Sequence, residues 1–301
     1  MTPRVRAATA NDLDAMVDVA VDAQADPERM CAYLGSDAAS IATDIAEVGG
    51  PTGGDWTTAT WVVVDNNDSV AGWLLAETDA DMSRAWWWGP MLNNEVSNTV
   101  EAAEQLFDAA SQTLSNYRQH ELALDHRSTR LARFAELHGF AAEEPSAVLN
   151  TGALASNEWP GDSRVVPLAV HHHASVIAMH DELFPGTHTT GDKLVDAGRG
   201  EVRLVIELPA DPSVVTGYVA TELQNDGSLY IDYLGVAANQ RGCGLGRALV
   251  AESVRLGAAA GASHAHLTVR VANAAARQLY ASLGFVEERS LAPDRRGVTL
   301  A

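Results

Sequence analysis

Three glycines spaced two apart, Gly242, Gly244 and Gly246, stand between arginines in the run Arg241-Gly242-Cys243-Gly244-Leu245-Gly246-Arg247. The strand-like run LYIDYLGV precedes them. An amphipathic helix pattern follows, with Leu245, Ala248, Leu249 and Leu256 largely on one face. The first N–H groups of a helix lack intrahelical acceptors and carry the positive end of its dipole. Glycine removes the Cβ that would hold a ligand away from the backbone. The chemistry on offer is anion binding at a helix mouth, with Arg241 and Arg247 able to add charge. A triphosphate loop needs G-x-x-x-x-G-K-[ST], and no lysine follows here. A dinucleotide fingerprint needs G-x-G-x-x-G in a parallel β-α-β unit, whereas this spacing is G-x-G-x-G after a meander of strands. The third anion is the pyrophosphate of coenzyme A.

The elements that must hold this loop occur twice. Gly72-Trp73 and Gly217-Tyr218 lie 145 residues apart, and so do Gly139-Phe140 and Gly284-Phe285. Each copy reads as a helix, then three strands, a long helix, another strand, and a short helix ending at Gly-Phe. The connections DNNDS and QNDGS have hairpin chemistry, so the strands are mainly antiparallel neighbours. The expected fold is α/β (α+β), two tandem domains, each a mixed, mostly antiparallel sheet flanked by helices. The boundary is expected in TGALASNEWPGDS, which gives domains 1–152 and 164–301 joined by a linker 153–163.

The ordered set of motifs in the second copy resembles the GNAT acyltransferases. Arg241 to Gly246 is similar to their R-x-x-G-x-G loop, YLGV to their fourth strand, and LTVRVANAAARQLYASLGF to their N-x-x-A-x-x-L-Y-x-x-x-G-F segment. The resemblance covers Gly217 to Val286 well and the remainder of that copy loosely. It implies acyl transfer from acetyl-CoA, or another acyl-CoA, to an amine. Backbone groups of Leu234, Gly235 and Val236 would line the pantetheine and thioester, the Leu234 N–H facing the carbonyl oxygen. The N–H groups from Arg241 through Gly242, Cys243, Gly244, Leu245 and Gly246 to Arg247 would take the pyrophosphate. Asn273 matches the motif Asn, which bonds the coenzyme arm or orders the following helix. Tyr280 matches the general acid for the departing thiolate; its alternative is a core aromatic beside Leu279 and Phe285.

Strict strand alternation puts Tyr230, Asp232 and Leu234 on one face, with Ile231 and Tyr233 on the other. Asp232 would then lie one step from the thioester and could accept the amine proton directly or through water; its alternative is a structural carboxylate capping a neighbouring loop. Glu222 on the neighbouring strand is a second candidate. The stretch His180–Gly191 falls where GNAT relatives build the acceptor pocket. Phe184, Pro185 and His188 could line it, and Asp181 or Glu182 could attract a cation or be solvated helix charges.

Applying the 145-residue offset turns Tyr280 into Ala135 and Asn273 into Ser128. The glycine loop becomes GPMLNNEVSNTVEAAEQ, without a glycine cluster or arginine, and Glu95 would repel phosphate. The first copy is expected to be degenerate and to hold no coenzyme. Trp61, Trp73, Trp86, Trp87 and Trp88 are assigned mainly to its core.

With 20 basic and 40 acidic residues, the net charge of −20 disfavours nucleic acid and favours a cationic acceptor, a small-molecule or peptide amine. Two lone cysteines suit a reducing compartment, and no run of about 18 apolar residues occurs, so a cytoplasmic protein is expected without membrane contact, with a homodimer as an option. No metal is expected. Successive helical residues in His171-His172-His173 point about 100° apart, and His264 and His266 lack a nearby Cys or acid. Two other functions stay open: a coenzyme-binding sensor or scaffold without catalysis, and an NAD enzyme.

Overall fold

The computed structural model describes residues 4–297, except 52, 95, 97, 98, 155–158, 197, 199 and 200. Packing divides the chain into two units, one of Met1–Ser146 with Arg289–Ala301 and one of Ala147–Glu288.

In the first unit β1 (Arg4–Ala7) leads into α1 (Leu13–Gln24) and α2 (Ala38–Glu47). A meander follows of β2 (Thr60–Val64), β3 (Val70–Asp79) and β4 (Arg84–Leu92). Next are α3 (Thr99–Thr113), β5 (Gln119–Asp125), α4 (Thr129–Leu137) and the short β6 (Ala141–Ala142). Strands β1 to β4 pair antiparallel in sequence order, and β4 pairs parallel with β5. Alternation sends Val62, Val64, Trp73 and Leu75 toward α1 and α2, while Trp61, Val63, Leu74 and Trp87 meet α3 and α4. All five tryptophans named above are buried, as the core reading requires. Trp73 donates its indole N–H to the Met16 carbonyl at 2.9 Å, which tethers α1 to the sheet.

The second unit opens within β7 (Ser146–Ala153), followed by β8 (Val165–Pro167), α5 (His173–Leu183) and α6 (Gly191–Val195). Then come β9 (Glu201–Leu208), β10 (Asp211–Leu223) and β11 (Leu229–Val236). The chain continues through α7 (Leu245–Ala259), β12 (His264–Arg270), α8 (Ala274–Ser282) and β13 (Val286–Gly297). The strand order is β7-β12-β11-β10-β9-β8. Strands β8 to β11 pair antiparallel, and β11 pairs parallel with β12. Helix α7 buries Leu249, Val250 and Val254 completely, each worth about 1.5–3 kcal/mol, so its start is firmly located. Both units have the mixed, mostly antiparallel sheet flanked by helices that the sequence predicts.

The boundary differs from the expected linker at 153–163. The division falls between Ser146 and Ala147, and Arg289–Ala301 joins the first unit. There β13 lies antiparallel to β5, from Leu291↔Asp125 to Gly297↔Gln119. Thr151 is a strand residue of the second unit, its hydroxyl accepting the Ala265 N–H at 3.0 Å. Gly, Pro and Ser mark where the chain turns, but strand pairing decides where it packs. Linker residues 155–158 lie outside the described residues. Among the described residues no helix is long and apolar enough to cross a membrane.

Candidate active site

The parallel pairing of β11 with β12 covers only Leu229↔Ala265, Tyr230↔His266 and Ile231↔Leu267. Strand β11 runs on to Val236, so the two strands part there and leave a wedge. On the α7 and α8 side the wedge opens into a cleft of about 690 Å³. Of the residues expected to bind coenzyme, Leu234, Val236, Arg241, Gly242, Gly244, Leu245, Gly246, Arg247 and Asn273 line it. Phe184, assigned to the acceptor, lines it too, as do Gln240, Gln278 and Ser282, which the sequence reading missed. Gln278 and Ser282 are four apart on α8, a spacing that becomes informative only once the facing loop is known.

The glycines have distinct reasons. Gly242 and Gly244 have φ of 79° and 78°, a left-handed conformation that disfavours side chains, and a Cβ on either would enter open space on the cleft side. Gly246 allows close packing, since its Cβ would lie 3.2 Å from Leu279 Cδ2. Gly244 is the N-cap of α7 and supplies no side-chain bond, whereas α2, α4 and α8 open on side-chain caps from Asp37, Ser128 and Asn273. The mouth of α7 therefore presents backbone donors to the cleft, with room above them. Arg241 donates through Nε to the Val236 carbonyl at 3.2 Å. Arg247 donates to the Ser282 hydroxyl at 2.7 Å. Cys243 is exposed and does not line the cleft.

Asn273 orders α8 by accepting the Ala276 N–H at 3.1 Å. Tyr280 is 7% exposed and packs on Phe285 at 5.6 Å between ring centroids. Burial pushes its phenol up to about 12, so it stays protonated. It does not line the cleft, yet its phenol is near enough to that of Tyr230 to disfavour ionisation there.

Asp232 does not share a face with Leu234. The register slips between Ala220↔Tyr233 and Thr221↔Ile231, so Asp232 is the extra residue of a β-bulge. The bulge resets the alternation. Leu229 and Ile231 before it, and Leu234 and Val236 after it, all pack on the α7 core, whereas Tyr233 packs with Val176 and Tyr218. Gly235 also faces away from the cleft, because a Cβ there would meet the Tyr218 ring at 2.4 Å. Pairing puts Glu201, Glu222, Tyr230 and His266 in one row across the sheet. Asp232 is electrostatically coupled to Glu222 and Glu201 on this second face. It is open to solvent but enclosed enough that desolvation, aided by Glu222 and Glu201 and opposed by Arg203, raises its carboxyl to about 7. Arg203 itself is held by Glu201 at 2.7 Å.

The loop after α5 is braced by His180, which the sequence reading passed over. His180 Nε2 lies 2.8 Å from the Thr189 carbonyl and must carry the proton there. Nδ1 then accepts from the Tyr218 hydroxyl at 2.7 Å. Asp181 accepts the Gly191 N–H at 2.8 Å, so it serves the loop. His188 is exposed and lies outside the cleft lining.

His171 and His172 do converge, contrary to the angular argument. Their Nε2 atoms lie 3.7 and 2.9 Å from the same Glu207 oxygen, where a 3-10 turn brings the tilted rings to 3.9 Å between centroids. The tautomer nevertheless disfavours a metal. His172 Nδ1 accepts the Ala169 N–H at 2.9 Å, so Nε2 carries the proton given to Glu207. His264 and His266 share a face and sit beside the hydroxyls of Ser263 and Ser228.

In the first unit β4 and β5 also part after three pairs, Arg84↔Gln119 to Trp86↔Glu121. There Trp87 stacks on Phe107 at 4.8 Å, Phe140 meets Trp87 edge-on, and the Arg296 guanidinium lies 4.7 Å from the Phe107 ring centre. Ser128 caps α4 by accepting the Leu131 N–H at 3.3 Å, so the loss of Asn keeps the capping role. Glu95 lies outside the described residues.

Residues 174–285 match the sequence model of the Acetyltransferase (GNAT) family. No curated protein matches the chain. A GCN5-related N-acetyltransferase from Sphaerobacter thermophilus is similar in structure, at 15% identity and TM-score 0.72 over 98% of this chain and 96% of that one. A tandem GNAT protein from the clavulanic acid biosynthesis pathway is similar at 13% identity and TM-score 0.70, over 98% and 97%. A GCN5-related glucosamine N-acetyltransferase region of a fungal multi-domain GH3 beta-N-acetylglucosaminidase aligns at 14% identity and TM-score 0.71, over 98% of this chain and 38% of that one. At these identities the likeness is one of fold.

Proposed function

We propose that this chain, whose residues 174–285 match the Acetyltransferase (GNAT) family in sequence, moves an acyl group from acyl-coenzyme A to a primary amine by direct transfer. The observation that carries the reading is the α7 mouth, uncapped by any side chain, approached through two left-handed glycines and open to a cleft of about 690 Å³. These residues fit a diphosphate, since Gly242 and Gly244 line the cleft with open space where a Cβ would stand. The coenzyme supplies an acyl thioester as electrophile when bound. Leu234 and Val236 would hold its arm, and the β11 edge beyond Ile231, free of pairing to β12, can direct an amide at the acyl oxygen.

The amine would approach from the face of Asp232, Glu222 and Glu201. Asp232, its carboxyl raised to about 7, is matched to taking an ammonium proton near neutrality. The bulge turns Asp232 away from the face of Leu234, so acceptor and donor would meet from opposite faces of the sheet. Tyr280, kept protonated but outside the cleft lining, would return a proton to the departing sulfur. Three carboxylates on the acceptor face favour a cation, and one structural neighbour above is named for an amino sugar. The first unit, with aromatic rings in its wedge, would hold no coenzyme.

The test is thiol release from acetyl-CoA across amino sugars, polyamines and peptide amines, alongside calorimetric binding of the coenzyme. One coenzyme per chain with turnover on at least one amine is the expected result. Binding without turnover on every amine makes the protein a sensor. Protection from thermal unfolding by NADH and not by coenzyme A removes the reading altogether.

A further inference from the structure

Phe184 belongs to two neighbourhoods at once. It lines the cleft of the second unit together with Leu183, Leu234 and Val236, and it packs half-buried against Val176, Tyr218 and Tyr233 on the second face of the sheet. Both are possible because β11 is free of β12 beyond Ile231, so the end of α5 reaches both sides of that strand. Leu183 behaves likewise, lying 3.1 Å from where a Cβ of Gly235 would stand while still lining the cleft. The Phe184 ring stands edge-on to Tyr233, with centroids 5.1 Å apart. Back along β11 from the glycine loop come Val236, Leu234 and then Tyr233, so Phe184 stands toward the remote end of the cleft.

A buried network holds that ring in place. Phe184 caps the C-terminus of α5, its N–H donating to the His180 carbonyl at 2.8 Å. His180, one helical turn back, is fully buried and lies 5.4 Å from Phe184 and 4.7 Å from Tyr233 between ring centroids. Both of its nitrogens are engaged, by the Thr189 carbonyl and the Tyr218 hydroxyl. The Thr187 hydroxyl lies 3.0 Å from the carbonyls of Phe184 and Thr189, and the left-handed Gly186, φ 73°, turns the chain between them. A buried imidazole is tolerated only with its nitrogens met, so the ring and the turn fix each other.

We propose that Phe184 limits the length of the acyl group, admitting acetyl and excluding chains as long as hexanoyl, and that His180 is the positioning residue that keeps Phe184 there. The proposal rests on the reading of this cleft as the coenzyme site. With the arm of the coenzyme along Val236 and Leu234, an acyl chain extends toward Tyr233 and meets the Phe184 ring. An acetyl group stops short of it. Further methylenes have to displace a ring whose backbone and neighbours are fixed, and a methylene that a packed pocket cannot take costs about tenfold or more in affinity.

The experiment is a calorimetric titration of the full chain with coenzyme A, acetyl-CoA and hexanoyl-CoA, the ratio of acetyl-CoA to hexanoyl-CoA affinity being taken within each variant. A general loss of stability or of coenzyme affinity cancels in that ratio, so a merely structural role does not move it. The wild type is expected to favour acetyl-CoA at least about tenfold, and Phe184→Ala to bring the two within about threefold. His180→Leu, which fills the space but releases the turn, should act in the same direction. His180→Gln, which can still donate to Thr189 and accept from Tyr218, should keep most of the preference. Tyr218→Phe deletes only a hydroxyl and should give an intermediate ratio, which tests the positioning role even where His180→Leu does not fold. Equal wild-type affinities, or a ratio unchanged in Phe184→Ala, overturn the limit on acyl length. A ratio indifferent to His180→Leu, or to Tyr218→Phe where that variant stands in, overturns the positioning role. A preference that moves with these variants, without turnover on any amine, supports this proposal while the transfer reading fails. No binding of any of the three coenzymes overturns both.

Discussion

In the second unit β11 leaves β12 after three residue pairs, and the wedge opens on a cleft lined by glycines and an uncapped helix mouth. In the first unit β4 leaves β5 after three pairs as well, but Trp87, Phe107, Phe140 and Arg296 occupy the corresponding side. The split in the sheet is thus a property of the fold, kept in both units. What differs is the treatment of the space behind it. A wedge lined by glycine leaves an open cleft, and a wedge filled by rings is part of a core. The helix that follows also differs in kind, since α4 and α8 keep equivalent caps while only the second unit has the glycine approach to its long helix. The two units therefore share the scaffold and differ in the loop.

The sharpest test of the contrast is Asp232→Asn. General-base loss is expected to lower kcat/KM by about 10²–10⁴-fold with little change in coenzyme affinity. The sign of the pH effect follows from its raised carboxyl. The basic form dominates above about 7, so the wild-type rate climbs as pH rises through that value, and the variant's profile loses that limb. A variant that keeps the limb moves the base to Glu222 or elsewhere.

Trp87→Ala addresses the other unit. Removing a fully packed indole should cost about 3–5 kcal/mol in chemical denaturation, with coenzyme affinity unchanged within about twofold. A parallel fall in affinity would mean that the ring-filled wedge participates in binding, and the contrast would break.

Gly244→Val puts a β-branched side chain at φ 78° and into the open space above the α7 donors. Affinity for coenzyme A by calorimetry is expected to fall at least about 100-fold, equivalent to about 2.7 kcal/mol. Backbone strain should reduce stability by about 1–3 kcal/mol. Retained affinity at reduced stability would separate the glycine from the phosphate site.

The smallest effect concerns the caps. Ser128→Ala should destabilise by about 0.5–2 kcal/mol, and Asn273→Ser by only a few tenths, because either side chain can accept from the third N–H of its helix. If Asn273→Ser also weakens coenzyme binding several-fold, Asn273 contacts the ligand as well as the helix.

Much of this contrast is written in local patterns. The G-x-G-x-G spacing, the Asn and Ser caps, the two Gly-Phe landmarks and the run of tryptophans each act within a few residues of themselves, so a linear reading finds them. His180 escaped because its partners, Tyr218 and Thr189, meet it only after folding.

By itself, the sequence determined the α/β class, the repeated order of elements and the half of the chain that carries a glycine approach to its long helix, because backbone conformation and amphipathic period are near-neighbour properties. Tertiary structure alone decided that β13 completes the first unit's sheet, and that Leu234 and Asp232 face opposite ways. Those outcomes depend on register between distant strands, where a single bulged residue reverses every side chain after it.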